Sequence, residues 1–538
     1  MNRLTSLVGV DSRQWWALTR TYLLMDLRRA GGARKHGSID TRQSAVPLMA
    51  LVVGGLINSV MISLLVYLLP DHLTAAIVMV TIGGATTSML LLVDFAGSVI
   101  AVEDYWVLAP RPVSSRTYFA ARLSAVLVYI VGFSTLLSTA PALMFLFAHD
   151  LGVGGLFGAV AGNVLSSIAG AGFVIAVFTA LITRVSATRL IPLISLVQLL
   201  ASTTAMTGLL VVMKGFEDPA FIDVSLAGRS WLWYLPPAWF AALVPTLAGV
   251  GGASEITAAA GAVLLTVGLV SLACGQISLD TAARLSDAAG AVTSSFARRW
   301  LDRIPGFRGG EAYAVATLIR AQFRHDLRFR LSILGVIPMT VFYMLLGWND
   351  GLLADPFSSN ARRGAPLYMA LGFLPMILHS ALQTSDHWKA SWLFWATPAD
   401  PGRLVVAAKN FVSFFFLGAY LFILACIWSF FYERIWHAFV HAAFLGAGAH
   451  MLLQLAVMMT PELPFAREPK RGEQSGRLFW LFMVGSIFAS VGPAMLPLVY
   501  ARPWLAVIVA GLLIGMTIMF ERRLRRRARE HFSRLEFT

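Results

Sequence analysis

The chain is short of charge. Only 13% of its 538 residues are Asp, Glu, Lys or Arg, about half the share of an average soluble protein. With 57% hydrophobic residues and a mean hydropathy of +0.72, it cannot be a string of soluble domains. Phosphate-binding and hydrolytic motifs are missing as well. A Walker A loop needs Gly directly before its Lys, and the lysines Lys35, Lys214, Lys389, Lys409 and Lys470 follow Arg, Met, Trp, Ala and Pro. HExxH and G-x-S-x-G are both absent. No enzyme activity is expected of this chain. Cysteine is scarce too: Cys274 and Cys426 lack CxxC spacing and sit inside apolar runs, which reads as packing, not a disulfide or metal site. No cleavable signal is expected, because residues 1–45 are polar and basic and the first apolar run starts at Val46.

What the chain has is apolar length. Runs long enough to cross a bilayer, at roughly 20 residues each, recur throughout. About twelve are expected, at 46–69, 73–102, 118–147, 154–182, 190–213 and 256–277, then at 331–348, 367–384, 404–432, 436–460, 478–500 and 504–520. Charge checks the map. With residues 1–45 in the cytoplasm, 36 of the 42 basic residues fall on cytoplasmic segments and 6 on external ones. That asymmetry is a positive-inside pattern, and it places both termini in the cytoplasm. The net charge of +14 is scattered between apolar runs, so it points to membrane topology and not to nucleic acid. The expected fold is all-α: a polytopic helical membrane protein in two tandem six-span halves, 46–277 and 331–520. They are flanked by a connecting helix in 1–45, a linker over 278–330 and a basic tail over 521–538 that continues the last helix among anionic headgroups.

Two features repeat. WALTRTYLLMDLR (16–28) matches ATLIRAQFRHDLR (316–328) at a constant offset of 300, pairing Leu18, Arg20, Asp26, Leu27 and Arg28 with Leu318, Arg320, Asp326, Leu327 and Arg328. Leu23 and Leu27 keep the i,i+4 stripe of Phe323 and Leu327, as two amphipathic helices of one design would. The connection after the second expected span reads VEDYWVLAPRPVSSRTYFAARL (102–123), and its second-half counterpart SDHWKASWLFWATPADPGRLVVAAKNF (385–411). Each has an acid at the membrane exit, a Trp-containing amphipathic stretch, a turn bounded by prolines (Pro110 and Pro112; Pro398 and Pro401) and a basic residue entering the next span (Arg122; Lys409). Prolines rule out one continuous helix there. A third segment, WLWYLPPAWFAALVP (231–245), is aromatic, too short to span and broken by prolines, which suits an interfacial or re-entrant helix.

This order resembles the membrane subunit of ATP-binding-cassette transporters of the exporter type-2 (ABC-2-like) permease class. The resemblance implies an exporter of an amphipathic or hydrophobic substrate in a bacterial inner membrane. ATP and Mg would be handled by separate cytosolic ATPase subunits, with no cofactor in this chain and membrane lipid around it. It further implies that the surfaces coupled to the ATPase are Arg20, Asp26 and Arg28 with Glu103, Asp104 and Pro110. Their second-half counterparts are Arg320, Asp326 and Arg328 with Asp386, Trp392 and Pro398. The second half departs from the pattern, because its last external loop, 501–503, has no room for the aromatic helix.

Ionisable residues inside spans are functional suspects. Asp94 is close to the only acid deep in an expected span, where an ion-coupled secondary transporter, the competing reading, would want several. Glu433, His437 and His441 follow i, i+4, i+8 spacing, a pattern able to hold zinc or to serve a lipid-modifying enzyme. Histidines beside an interfacial Trp are common without metal, and no metal is expected here. His379 and His450 are expected to be buried and hydrogen-bonded, and Pro375, Gly446 and Gly448 to mark kinks or close helix contacts.

Overall fold

The structure, a computed structural model, describes residues 10–30, 46–93, 111–215, 225–226, 228–276, 310–348, 355–358, 368–385, 388–468, 485, 487 and 495–532. Among them every named element is helical, and the one β-type feature is an isolated parallel bridge between Thr384 and Arg467. Eight described helices are long and apolar enough to cross a membrane, and two shorter apolar helices, Val52–Leu68 and Met369–Gln383, accompany them. The protein is a polytopic, membrane-embedded helical protein. Its residues group into two compact units, 1–194 with 211–291, and 195–210 with 292–538.

The first unit holds α1 (Ser12–Ala30), α2 (Val46–Leu68), α3 (His72–Val93), α4 (Ser115–Phe147), α5 (Gly152–Arg184), the two ends of α6 (Ala187–Gly215), a 3-10 turn (Ser230–Tyr234), α7 (Pro236–Ala241), α8 (Leu243–Leu247) and α9 (Ala253–Gln276). The expected second span, 73–102, is helical to Val93, and its remainder lies outside the described residues. α5 is the hub, packing on α3, α4, α7, α8 and α9. Its glycines explain why. Gly154, Gly158 and Gly162 fall one turn apart, and a Cβ on Gly158 or Gly162 would lie 2.6 Å from the carbonyl oxygen of Leu243 or Phe240. Small residues at this spacing let backbones meet. The aromatic stretch expected not to span is thus a run of short helices laid along that stripe, with Trp239 Nε1 donating to Trp233 O at 2.7 Å. Polar contacts complete the packing: Asn163 donates to Ser134 O on α4 and Ser167 to Thr87 on α3.

Asp71 caps α3. Its carboxylate accepts from Thr74 N at 2.7 Å and from the Thr74 hydroxyl at 2.6 Å, and that hydroxyl in turn accepts from Leu226 N at 2.9 Å. Burial alone would raise this carboxyl, but the bonds from Thr74 and Ser225 and the nearby His72 outweigh it and hold the group below the usual carboxylate range.

The second unit holds α10 (Gly310–His325), α11 (Leu327–Leu334), α12 (Val336–Trp348), α13 (Met369–Gln383), a 3-10 turn (Trp388–Ser391), α14 (Trp392–Ala396), α15 (Pro401–Val412), α16 (Gly418–Trp428), α17 (Ile435–Met459) and α18 (Pro503–Phe532). α15 and α16 are one rod joined through a π turn, Ser413–Leu417. Gly446 permits a close approach of α17 to α16, since a Cβ there would lie 2.8 Å from Leu421 Cδ1. α18 runs unbroken from the expected span into the expected basic tail. Of the expected span 478–500, only 485, 487 and 495–500 are described.

Candidate functional site

In each unit the repeated basic helix packs on the helix that follows a proline loop. In the first, α1 packs on the start of α4. Asp11 caps α1 by accepting from Arg13 N and Gln14 N, and its own N–H donates to Thr117 Oγ1 at 3.1 Å. Thr117 also contacts the hydroxyl of Ser114, the N-cap of α4. Further along, Trp15 Nε1 donates to Ser124 Oγ at 3.0 Å, Thr19 lies over Ala121 O, and Tyr22 meets Tyr118 edge-on. The guanidinium of Arg122 sits 4.7 Å from the centre of the Tyr22 ring, a cation–π contact at a residue 4% exposed. Arg122, expected at the entrance to a span, is therefore a buried anchor for α1.

In the second unit α10 packs on α15. Glu311 Oε1 accepts from the N–H of Asp400 at 3.0 Å, and Asp400 is the N-cap of α15, accepting from Gly402 N at 2.9 Å. Residues 11 and 311 stand at the offset of 300 already seen in the basic helices, and each ties the start of its helix to the start of the helix that follows the proline loop, Asp11 through its backbone N–H and Glu311 through its carboxylate. Sequence reasoning missed both, although the offset itself would have paired Asp11 with Glu311.

The two copies differ at their ends. α1 continues through Asp26 and Arg28, whereas the second copy breaks at Asp326. Asp326 is the N-cap of α11, accepting from Phe329 N at 3.0 Å. The buried Arg330 reaches back and donates to Phe323 O and Arg324 O, both at 2.8 Å, satisfying carbonyls that the end of α10 leaves free. Phe323, Phe329, Phe416 and Phe465 pack around this corner. His325 lies beside it, and burial, then the charges of Arg324 and Arg330, lower its pKa below that of a free histidine.

Of the residues the resemblance implies, Arg20, Arg328, Trp392 and Pro398 are exposed, Arg320 is half-buried, and Asp326 is a cap. Asp26 and Arg28 lie on α1, but their side chains are outside the described set. Asp94, Glu103, Asp104, Pro110 and Asp386 lie outside the described residues. The second proline loop is well placed. Its entry is held where Phe465 N and Arg467 N take the carbonyls of Leu382 and Gln383 at the end of α13 and Ser385 N takes Arg467 O. Its amphipathic part becomes α14, whose Trp392, Leu393 and Trp395 are 60%, 56% and 38% exposed.

Beneath that loop lies a buried ion pair. Lys409 Nζ on α15, 1% exposed, donates to Glu521 Oε2 on α18 at 2.5 Å. Gln454 Nε2 on α17 donates to the same oxygen at 3.0 Å, and Arg525 to Glu521 Oε1 at 3.2 Å. One turn on, His450 Nδ1 meets Ser413 Oγ at 2.6 Å, at the first residue of the π turn. π turns recur at functional sites.

The spacing of Glu433, His437 and His441 does not make a ligand set. Arg434 caps α17 in an extended conformation, so Glu433 is off the helix and exposed. His437 Nδ1 is bonded to the buried carboxylate of Asp355, which also accepts from Phe357 N and Glu433 N. His441 has a tyrosine hydroxyl 3.1 Å from each ring nitrogen, Tyr500 at Nδ1 and Tyr368 at Nε2. Among the described residues no group of three His, Cys, Asp or Glu is arranged to hold a metal. At the far end of α17, His379 Nε2 meets Thr460 Oγ1 at 2.6 Å and Gln383 at 3.0 Å.

Comparison with known proteins gives no match: no protein-family model fits the chain, and no curated protein and no solved structure matches it.

Proposed function

We propose that the chain is the membrane-spanning permease subunit of an ABC-2-like ATP-binding-cassette transporter. In this reading it has two tandem six-span halves in a bacterial inner membrane, with both termini in the cytoplasm. A separate cytosolic ATPase binds ATP and Mg, and the permease exports an amphipathic or hydrophobic substrate. The observation that carries the reading is the repeated docking of a basic helix onto the helix after a proline loop, tied at Asp11 and at Glu311. A lever of this kind is what an external motor would need, since α10 packs directly on α15 and a push on it reaches that helix. The exposed Trp392 and Leu393 give such a motor something to grip. The test is to purify the full chain under mild detergent from its own cells and identify what comes with it. An ATPase bearing a P-loop should accompany the wild type and be lost from Trp392→Ala/Leu393→Ala; a chain that carries no nucleotide-binding partner in either form would remove the proposal.

One observation favours a second reading. The Lys409–Glu521 pair is a buried, charged group between helices, and buried ionisable pairs recur in ion-coupled secondary transporters, although this one stands at the end of the last apolar stretch and not at the midplane. That reading requires transport by the chain alone in proteoliposomes, collapsed by an ionophore and indifferent to ATP.

A further inference from the structure

α18 is longer than a bilayer is thick. Its 30 residues extend about 45 Å at 1.5 Å each, against a hydrocarbon core of about 30 Å. Its apolar stretch ends at Phe520, so from Glu521 onward the helix stands at headgroup level or beyond. Leu524 and Ala528, each 1% exposed, turn this extension back onto the bundle. At Gly402 the first turn of α15 comes close, because a Cβ there would lie 3.4 Å from Arg529 N. Between α10, α15 and α18 an open cleft of about 300 Å³ remains, lined by Glu311, Gly402, Arg403, Asn410, Arg525 and Arg529 among others.

The wall chemistry is specific. Arg403 and Asn410 line the cleft from α15, and Arg525 and Arg529 from α18. Arg403 lies 3.4 Å from Asp400 and Arg525 3.2 Å from Glu521, and both guanidinium groups stay largely open to solvent. Glu311 is engaged by the N–H of Asp400. Guanidinium groups match the several oxygens of a phosphate better than any single carboxylate does. Beside the cleft, the Trp395 ring lies 6.2 Å from Phe532, three residues beyond Arg529. Aromatic and apolar side chains next to a basic cluster at this depth mark a lipid interface.

We propose that this cleft binds the phosphate headgroup of an anionic phospholipid, with Arg403 and Arg529 as its principal ligands and the Trp395–Phe532 ring pair against the adjoining acyl region. The lipid joins α15 to α18 directly above the Lys409–Glu521 pair. The site does not depend on whether an ATPase drives the chain, so its test can fail while the permease reading stands, and the reverse.

The experiment uses the full chain in detergent, with native mass spectrometry to count retained lipid after adding phosphatidylglycerol, phosphatidylcholine or inorganic phosphate. Wild type should retain phosphatidylglycerol over phosphatidylcholine. Arg403→Gln/Arg529→Gln should lose about a hundredfold in apparent affinity, the scale of two charge-assisted contacts. The charge-matched control Arg523→Gln/Arg527→Gln, exposed on the other side of α18, should bind as wild type does. Should the first double variant fail to fold, Asn410→Asp puts a carboxylate into the cleft without removing an arginine, and it should also lower retention. Equal losses in the two double variants would reduce the effect to diffuse tail charge and overturn the proposal. Equal retention of both lipids, or competition by millimolar inorganic phosphate as strong as by lipid, would overturn it too.

Discussion

Removing the two halves of the Lys409–Glu521 pair separately should give unequal results. Breaking a buried pair by deleting one partner costs about 3–5 kcal/mol, because the survivor is left charged and dry. The two survivors differ. After Lys409→Met, Glu521 keeps Gln454 at 3.0 Å and Arg525 at 3.2 Å and is itself 20% exposed, so the loss should sit below that range, at about 2 kcal/mol. After Glu521→Gln, the ammonium of a side chain only 1% exposed loses its carboxylate, and the full 3–5 kcal/mol or so applies. In the double variant Lys409→Met/Glu521→Gln no buried charge remains, so it should be more stable than Glu521→Gln alone, with a coupling energy of about 2 kcal/mol. Equilibrium unfolding of the four proteins in one detergent, followed by tryptophan fluorescence, gives all the terms. Additivity within about 0.5 kcal/mol, or a Lys409→Met variant weaker than Glu521→Gln, would refute the reasoning.

Three further outcomes follow from the packing. Gly158→Ala places a methyl 2.6 Å from Leu243 O and Val244 Cα and should cost about 1–3 kcal/mol, whereas Gly132→Ala, with nothing within 4 Å, should be neutral or slightly stabilising in the same thermal melt. Arg330→Met frees the carbonyls of Phe323 and Arg324, and hydrogen exchange should speed up at the α10–α11 corner while α13 stays protected. Asp71 has a folded pKa below its ordinary 3.8, so its stabilisation is complete above that value and is lost as pH falls through the folded value; a melting-temperature series from pH 5 to pH 3 should drop more steeply for wild type than for Asp71→Asn.

Run length and punctuation made much of the helix map legible. Pro401 and Pro503 start the two longest rods of the second unit, where fixed φ and a missing N–H suit a first turn. The prolines of 231–245 announced a segment that does not span, and the structure lays it on α5. Nothing local told which stripe would receive it, because Gly154, Gly158 and Gly162 read equally well as a helix–helix contact. The offset of 300 located both basic helices, but it could not show that Asp326 would leave the helix to become a cap. That outcome depends on Arg330 taking the freed carbonyls. The spacing of Glu433, His437 and His441 carries little information for a similar reason. Periodicity assumes a helix already begun, and α17 begins at Ile435. The partners that matter there, Asp355, Tyr368 and Tyr500, come from other segments, as Glu521 comes to Lys409 from 112 residues away. Such pairings depend on tertiary packing and leave no local pattern.

In the proposed function, the chain moves a substrate because another protein's ATP hydrolysis acts on the docked basic helices. The most direct measurement is the hydrolysis rate of the co-purified ATPase in proteoliposomes, with the wild-type chain and with Glu311→Ala, which unties α10 from the Asp400 cap. Hydrolysis should be stimulated by the wild-type chain and uncoupled from transport by Glu311→Ala, with the complex still assembled. Substrate movement that continues without any ATPase, or coupling unchanged in Glu311→Ala, would contradict the account.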